Sequence, residues 1–171
     1  MTAPASKLTS SIFWQYSTRR YASNDMAPLA LLLQDNHGVN VNVLLLMCWC
    51  LENNVIVNLI QMKAIVAAIA ESDKQLQAHR LQRKAAHPDN GGQKAHYEVL
   101  KAQELELEKQ QQAVIVEAFN AQDVMTLPNG PLSTKTTIFN ASIAAFINAY
   151  ALKDNEEARQ LLSLVVNQLP N

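Results

Sequence analysis

Breakers are scarce in this chain. Its 171 residues contain only four glycines and six prolines. Between Gly38, Pro88, the Gly91-Gly92 pair, Pro128, Gly130, Pro131 and Pro170 run three long clean stretches, 39–87, 93–127 and 132–169. A β-protein of this length needs turn signals every several residues, so the scarcity excludes a sandwich or barrel. Cysteine is also rare: Cys48 and Cys50 alone, two apart around Trp49. On a helix, residues two apart face different ways, so no bridge is expected and the pair reads as small apolar core residues in a reducing compartment. Neither cysteine has the second half of a metal-ligand or redox set.

Charge is thin as well. Charged residues make up 17% and the formal net charge is −1, which argues against a general polyanion binder. The longest apolar run, 43–51, falls far short of the roughly 20 residues of a membrane-spanning helix. The first residues show no apolar core segment and no cleavage pattern, so no signal peptide is expected. No repeat of solenoid period occurs. A chain of this length should bury roughly 70% of the surface its unfolded form exposes, without disulfides or metal. These absences leave a cytoplasmic domain with no membrane contact and no cofactor.

The stretches themselves are rich in Ala, Leu, Gln, Glu and Lys, which favour helix. The fold expected is all-α: one domain over 1–171, a bundle of six or seven helices, with a core over about 11–121 and a C-terminal helical pair over about 132–169. A first helix should start near Thr9 or Ser10 and run to about Ala22, with Ile12, Phe13 and Tyr16 on one face. A second, capped by Asp25, tolerates Pro28 in its first turn and stops at Gly38. The run V-N-V-N-V at 39–43 alternates like a strand, but a continuous apolar run follows it. It is read as a helix capped by Asn40, ending near Asn53, and as the bundle centre because it is apolar nearly all round. Residues 55–86 should form one helix, or two broken near Ser72–Asp73. Helices over about 93–121, 134–152 and 155–169 complete the bundle, with Ser133 and Asn155 as caps.

Two motifs support a comparison. F-W-x-x-S-x-x-x-Y at Phe13–Tyr21 and L-x-x-Q-D-x-x-G-x-x-V-N-x-L-L-L at Leu31–Leu46 resemble a proteobacterial family of small proteins classed only as a domain of unknown function. The similarity continues through Trp49, the basic helix around Arg80–Lys84 and the acidic helix from Tyr97 through Glu104-Leu105-Glu106, about 11–120 in all. The chain departs from the family where I-A-E-S-D-K-Q-L-Q stands in place of Trp and Pro-Leu-Arg. The resemblance implies a cytoplasmic helical protein and supplies no catalytic residues.

Candidate sites follow from local chemistry. Gln34, Asp35, Asn36, His37, Asn40 and Asn42 form a polar corner between two apolar helices. Such residues commonly close turns and satisfy helix ends. Here Asp35 is expected to accept from backbone N–H groups or from Asn40 and Asn42. The functional alternative is a pocket lined by Gln34, Asp35 and Asn42, with Trp14 and Tyr16 as its aromatic wall. Arg19 and Arg20 could hold an anion or an acidic partner, or simply end a helix in solvent. His87-Pro88-Asp89 resembles the tripeptide of J-domain co-chaperones, behind a basic helix, yet the Tyr-x-x-Leu-Gly of those domains is missing upstream. A helix-stop turn is the simpler reading. His79, His87, His96 and Asp89 match no metal-ligand spacing. Between Lys74 and Lys101 stand six basic residues and two acidic ones, with Glu104, Glu106 and Glu108 just beyond. Two antiparallel helices with facing charges explain that better than nucleic acid. The function expected is a non-enzymatic interaction or regulatory protein with an unknown protein partner. The rival is an enzyme or small-ligand binder at the polar corner, and an aromatic-lined pocket touching Gln34, Asp35 and Asn42 would favour it.

Overall fold

The computed structural model describes residues 8–128 and 132–170. Among these are eight α-helices: α1 Ser10–Tyr21, α2 Met26–His37, α3 Val41–Glu52, α4 Leu59–Ala68, α5 Ala70–Ala85, α6 Lys94–Asn120, α7 Leu132–Ala149 and α8 Glu156–Asn167. The fold is all-α apart from one small antiparallel pairing of β1 (Val55–Ile56) with β2 (Met125–Thr126). No helix among the described residues is long and apolar enough to cross a membrane.

Thr9 caps α1 by accepting from Ile12 N–H, and Asn40 caps α3 by accepting from Val43 N–H. Gly38 ends α2 at φ 70°, a left-handed conformation that costs a residue with Cβ more. Ten consecutive residues of α3, Asn42 to Leu51, are buried, so this short helix is the bundle's axis. Trp49 meets Phe119 of α6 edge-on, ring centroids 5.8 Å apart. Cys48 and Cys50 are buried free thiols. Burial, then the nearby Glu52, pushes the Cys48 thiol up to about 12, and burial raises Cys50 too. Neither can act as a thiolate near neutral pH.

Four expectations need correction. Ile12 is 45% exposed, because Phe13, Tyr16 and Ser17 set the buried stripe of α1 and leave Ile12 one step off it. Residues 55–56 pair as a strand; Ser142 of α7 bridges the adjoining backbone, donating to Val55 O and accepting from Val57 N–H. The break in the next helical run comes at Ile69, three residues before Ser72. Ser72 and Asp73 instead lie in the first turn of α5, where Ser72 Oγ donates to Ile69 O. Ser133 falls inside α7 rather than at its cap. The loop residues Gly130 and Pro131 lie outside the described residues.

Helices α5 and α6 pack antiparallel. Arg83 and Arg80 both reach Glu104, the second at 3.4 Å, and Arg80 lies 3.5 Å from Glu108. The turn between them is one 3-10 turn, Pro88–Asn90, capped by His87 Nδ1, which accepts from Asp89 N–H. A Cβ on Gly92 would come within 1.8 Å of Ala86 O, so only glycine fits there. His87 also packs edge-on against Tyr97. Beyond α6, α7 packs on α3 and α4, and α8 lies along α2.

Candidate functional site

A cleft of about 830 Å³ opens between α1, α2, α3, α5 and α6. Helix geometry builds each wall. On α1, spacings of three and four bring Trp14, Ser17, Thr18 and Tyr21 to one face. The last turns of α2 contribute Leu31, Gln34 and Asp35, and the first turns of α3 contribute Val41, Asn42 and Leu45. Arg80, Arg83 and Lys84 enter from α5; Glu104, Leu105, Glu108, Lys109 and Gln112 come from one stripe of α6. Apolar atoms make most of the surface, while polar and charged side chains outnumber the apolar and aromatic ones around it.

The cleft therefore joins Gln34, Asp35 and Asn42, as the pocket reading required, with Trp14 beside them. Tyr16 is not its second aromatic. It is 6% exposed and its hydroxyl donates to Glu52, at the end of α3. Tyr21 takes that place, five residues on along the cleft face. Arg20 does not wait for an anion either, since its guanidinium is paired with Glu52. Arg19 is exposed and leans over the Tyr16 ring at 5.8 Å.

Asn40 lies behind the cleft in a chain of side-chain amides. Its Nδ2 donates to Asp73 Oδ1 at 2.7 Å and to Gln111 Oε1 at 3.0 Å. Asn42 donates to the same Gln111 oxygen at 2.8 Å, and Asn42 Oδ1 accepts from Gln112 Nε2 at 3.0 Å. Asp73 and Gln111 thus fill the role expected of Asp35, whose own side chain stands exposed on the cleft rim. The physical reason is direction: Asp35 ends α2 facing outward, whereas Asn40 and Asn42 point inward to α5 and α6.

Two buried atoms of the cleft-lining side chains have no hydrogen-bond partner among the described residues. They are Ser17 Oγ and Gln112 Oε1, in residues 5% and 1% exposed. A buried acceptor without a donor costs about 1–3 kcal/mol.

Four basic and three acidic residues line the cleft. Arg80 and Arg83 are tied to Glu104 and Glu108, so the interior charges offset one another. Burial lifts the Glu108 carboxyl above the usual carboxylate range; Arg80 opposes the rise and Glu104 adds to it. Burial, then Glu108, also raises Tyr21, which keeps its hydroxyl proton. At the mouth Lys109 Nζ sits 5.1 Å above the Trp14 ring. That is a cation–π contact.

No base reaches Ser17 Oγ, so it is not an activated nucleophile. Among the described residues no group of three or more His, Cys, Asp or Glu could hold a metal ion. His79 instead bonds Leu100 O at 2.7 Å.

The contributions of α5 and α6 were read from sequence only as facing charges. Their signal was the stripe Glu104, Leu105, Glu108, Lys109, Gln112. Its mixture of charge, amide and leucine resembles any solvated helix face.

Residues 12–115 match a family described as proteins of unknown function, DUF2390. No curated protein and no solved structure matches the chain.

Proposed function

The chain belongs to the DUF2390 family, and we propose that it is a non-catalytic protein that binds a small, mostly apolar molecule in the five-helix cleft. One observation carries this reading: the cleft is large, and apolar atoms make most of its surface, with Trp14, Tyr21, Leu31, Val41, Leu45 and Leu105 set among twelve polar or charged side chains. Ligand sites are typically concave spaces of roughly 300–1,000 Å³.

The motif residues support it. Trp14, Ser17 and Tyr21 of the first motif line the cleft, as do Leu31, Gln34, Asp35, Val41, Asn42 and Leu45 of the second. Every lining residue falls within the family-matched span. The remaining motif letters, such as Phe13, Gly38 and Leu44, serve packing and the α2 stop. Binding rather than turnover is favoured because the cleft joins no nucleophile to a base. A regulatory or interaction role suits such a protein, with occupancy of the cleft as its signal. A bacterial cytoplasmic setting belongs to the same proposal; the unbridged cysteines and the proteobacterial resemblance support it.

The test is a thermal-shift screen of apolar metabolites against the wild type and Thr18→Trp. Thr18 is an exposed wall residue, so the new indole fills the cleft without touching the core. Ligands should raise the wild-type melting temperature and leave the variant unmoved. Equal shifts in both would place binding elsewhere.

A further inference from the structure

We propose that the cleft's ligand is an amphipathic monoanion, an apolar body carrying one carboxylate, and that Lys109 meets this carboxylate at the cleft mouth, where Trp14 holds the ammonium. The inference rests on the cleft being a ligand site and assigns that ligand its charge.

The ion-pair pattern of the lining carries it. Arg80 reaches Glu104 and Glu108, and Arg83 reaches Glu104, so these four charges satisfy one another across α5 and α6. Lys84 and Lys109 are left over. Both are exposed, and neither pairs with a carboxylate among the described residues. Against them stands one free acid of the lining, Asp35. The lining cations thus outnumber its carboxylates by one, in a chain whose formal net charge is −1. Burial raises the Glu108 carboxyl above its ordinary range, which moves the balance the same way. One carboxylate on the ligand offsets this excess, whereas a cationic ligand would add to it.

Position separates Lys109 from Asp35. Trp14 and Tyr21 are two turns apart on α1, roughly 10 Å along the helix. Lys109 Nζ stands 5.1 Å above the Trp14 ring, at one end. Asp35 belongs to the other: Tyr21 is raised by burial, then by Glu108, and Asp35 adds a smaller push from nearby. The contact with the ring face fixes the ammonium and leaves its N–H groups without an acceptor among the described residues. A carboxylate suits that point charge. Both guanidiniums already face carboxylates, which favours a singly charged head over a phosphate. Leu31 and Leu105, 42% and 48% exposed, give the body apolar surface it can reach, and the open mouth lets the head stay hydrated.

Octanoate, octanamide and octylammonium share one apolar body and differ in the charge of the head. Each is titrated into the full chain at low salt, with amide chemical shifts reporting both Kd and location. Octanoate should bind about threefold to fivefold more tightly than octanamide, the worth of one exposed ion pair. That preference should shrink in about 0.5 M salt. Lys109→Gln should bring the two ligands together. Lys101→Gln should leave the preference intact, because Lys101 rests on the Tyr97 ring outside the cleft. Both lysines are exposed, so neither exchange endangers the fold. Octanamide or octylammonium binding at least as tightly as octanoate overturns the anion inference while leaving the cleft as a ligand site. A preference that survives Lys109→Gln overturns the assignment of the charge to Lys109. Shifts away from the cleft, or binding by none of the three, count against the ligand-site reading itself.

Discussion

Asn42 Nδ2 lies 2.8 Å from Gln111 Oε1, 69 residues away in sequence, with both side chains buried. That bond ties the start of the central helix to the middle of α6. The same oxygen serves Asn40, so one glutamine satisfies two inward-facing amides. Gln111→Ala would strand both donors. Each unpaired buried group costs about 1–3 kcal/mol, so urea unfolding should show a clear loss of stability. An unchanged midpoint would mean that the amides find other partners.

Trp49→Ala should cost about 3–5 kcal/mol, as large core aromatics usually do. Its ring packs edge-on against Phe119 and is 7% exposed. Chemical denaturation measures the loss, and a shift below about 1 kcal/mol would remove α3 from the centre of the core.

Asp35 tests the difference between turn and cleft. It sits exposed near the C-terminus of α2, where a carboxylate opposes the helix dipole. Asp35→Ala should therefore leave stability within about 0.5 kcal/mol of wild type, or raise it slightly, while altering ligand binding. A loss above about 1 kcal/mol would restore the structural role that its position in sequence suggests.

Much of the fold could be read from sequence. Thr9 and Asn40 are caps by chemistry, Gly38 is a stop by its missing Cβ, and the apolar run after Asn42 admits only a central helix. The break at Ile69 could not be read, because no Gly or Pro marks it; packing and the side chains of Ser72 and Asp73 decide it. Part of the cleft was legible, since Trp14, Gln34, Asp35 and Asn42 stood out as polar or aromatic residues beside apolar helices. Tyr16 and Tyr21 are five residues apart, and which of them faces the cleft rather than the core depends on where α1 lies against α3 and α6. The α6 wall was hidden for the same reason, as it joins the cleft only through long-range packing.

Glu108 gives a pH signature. Its folded-state value is raised, chiefly by burial. The native state thus holds this proton more tightly than the unfolded chain does. The favourable contribution is complete below the ordinary glutamate value of about 4.3. It is lost as pH rises through the folded value. Glu108→Gln removes the effect, so the variant should gain stability relative to wild type as pH is raised from about 4 to 7. Urea midpoints across that range check it; a constant difference would show that Arg80 balances burial, and one of opposite slope that it outweighs burial.

The most direct measurement is an amide chemical-shift map of the isotope-labelled chain titrated with a library of aromatic fragments. The account predicts that binders move signals of Trp14, Tyr21, Gln34, Asn42, Leu105 and Gln112 together. Binders that leave these residues still while moving the outer faces of α7 or α8, or a library with no binders, would contradict it.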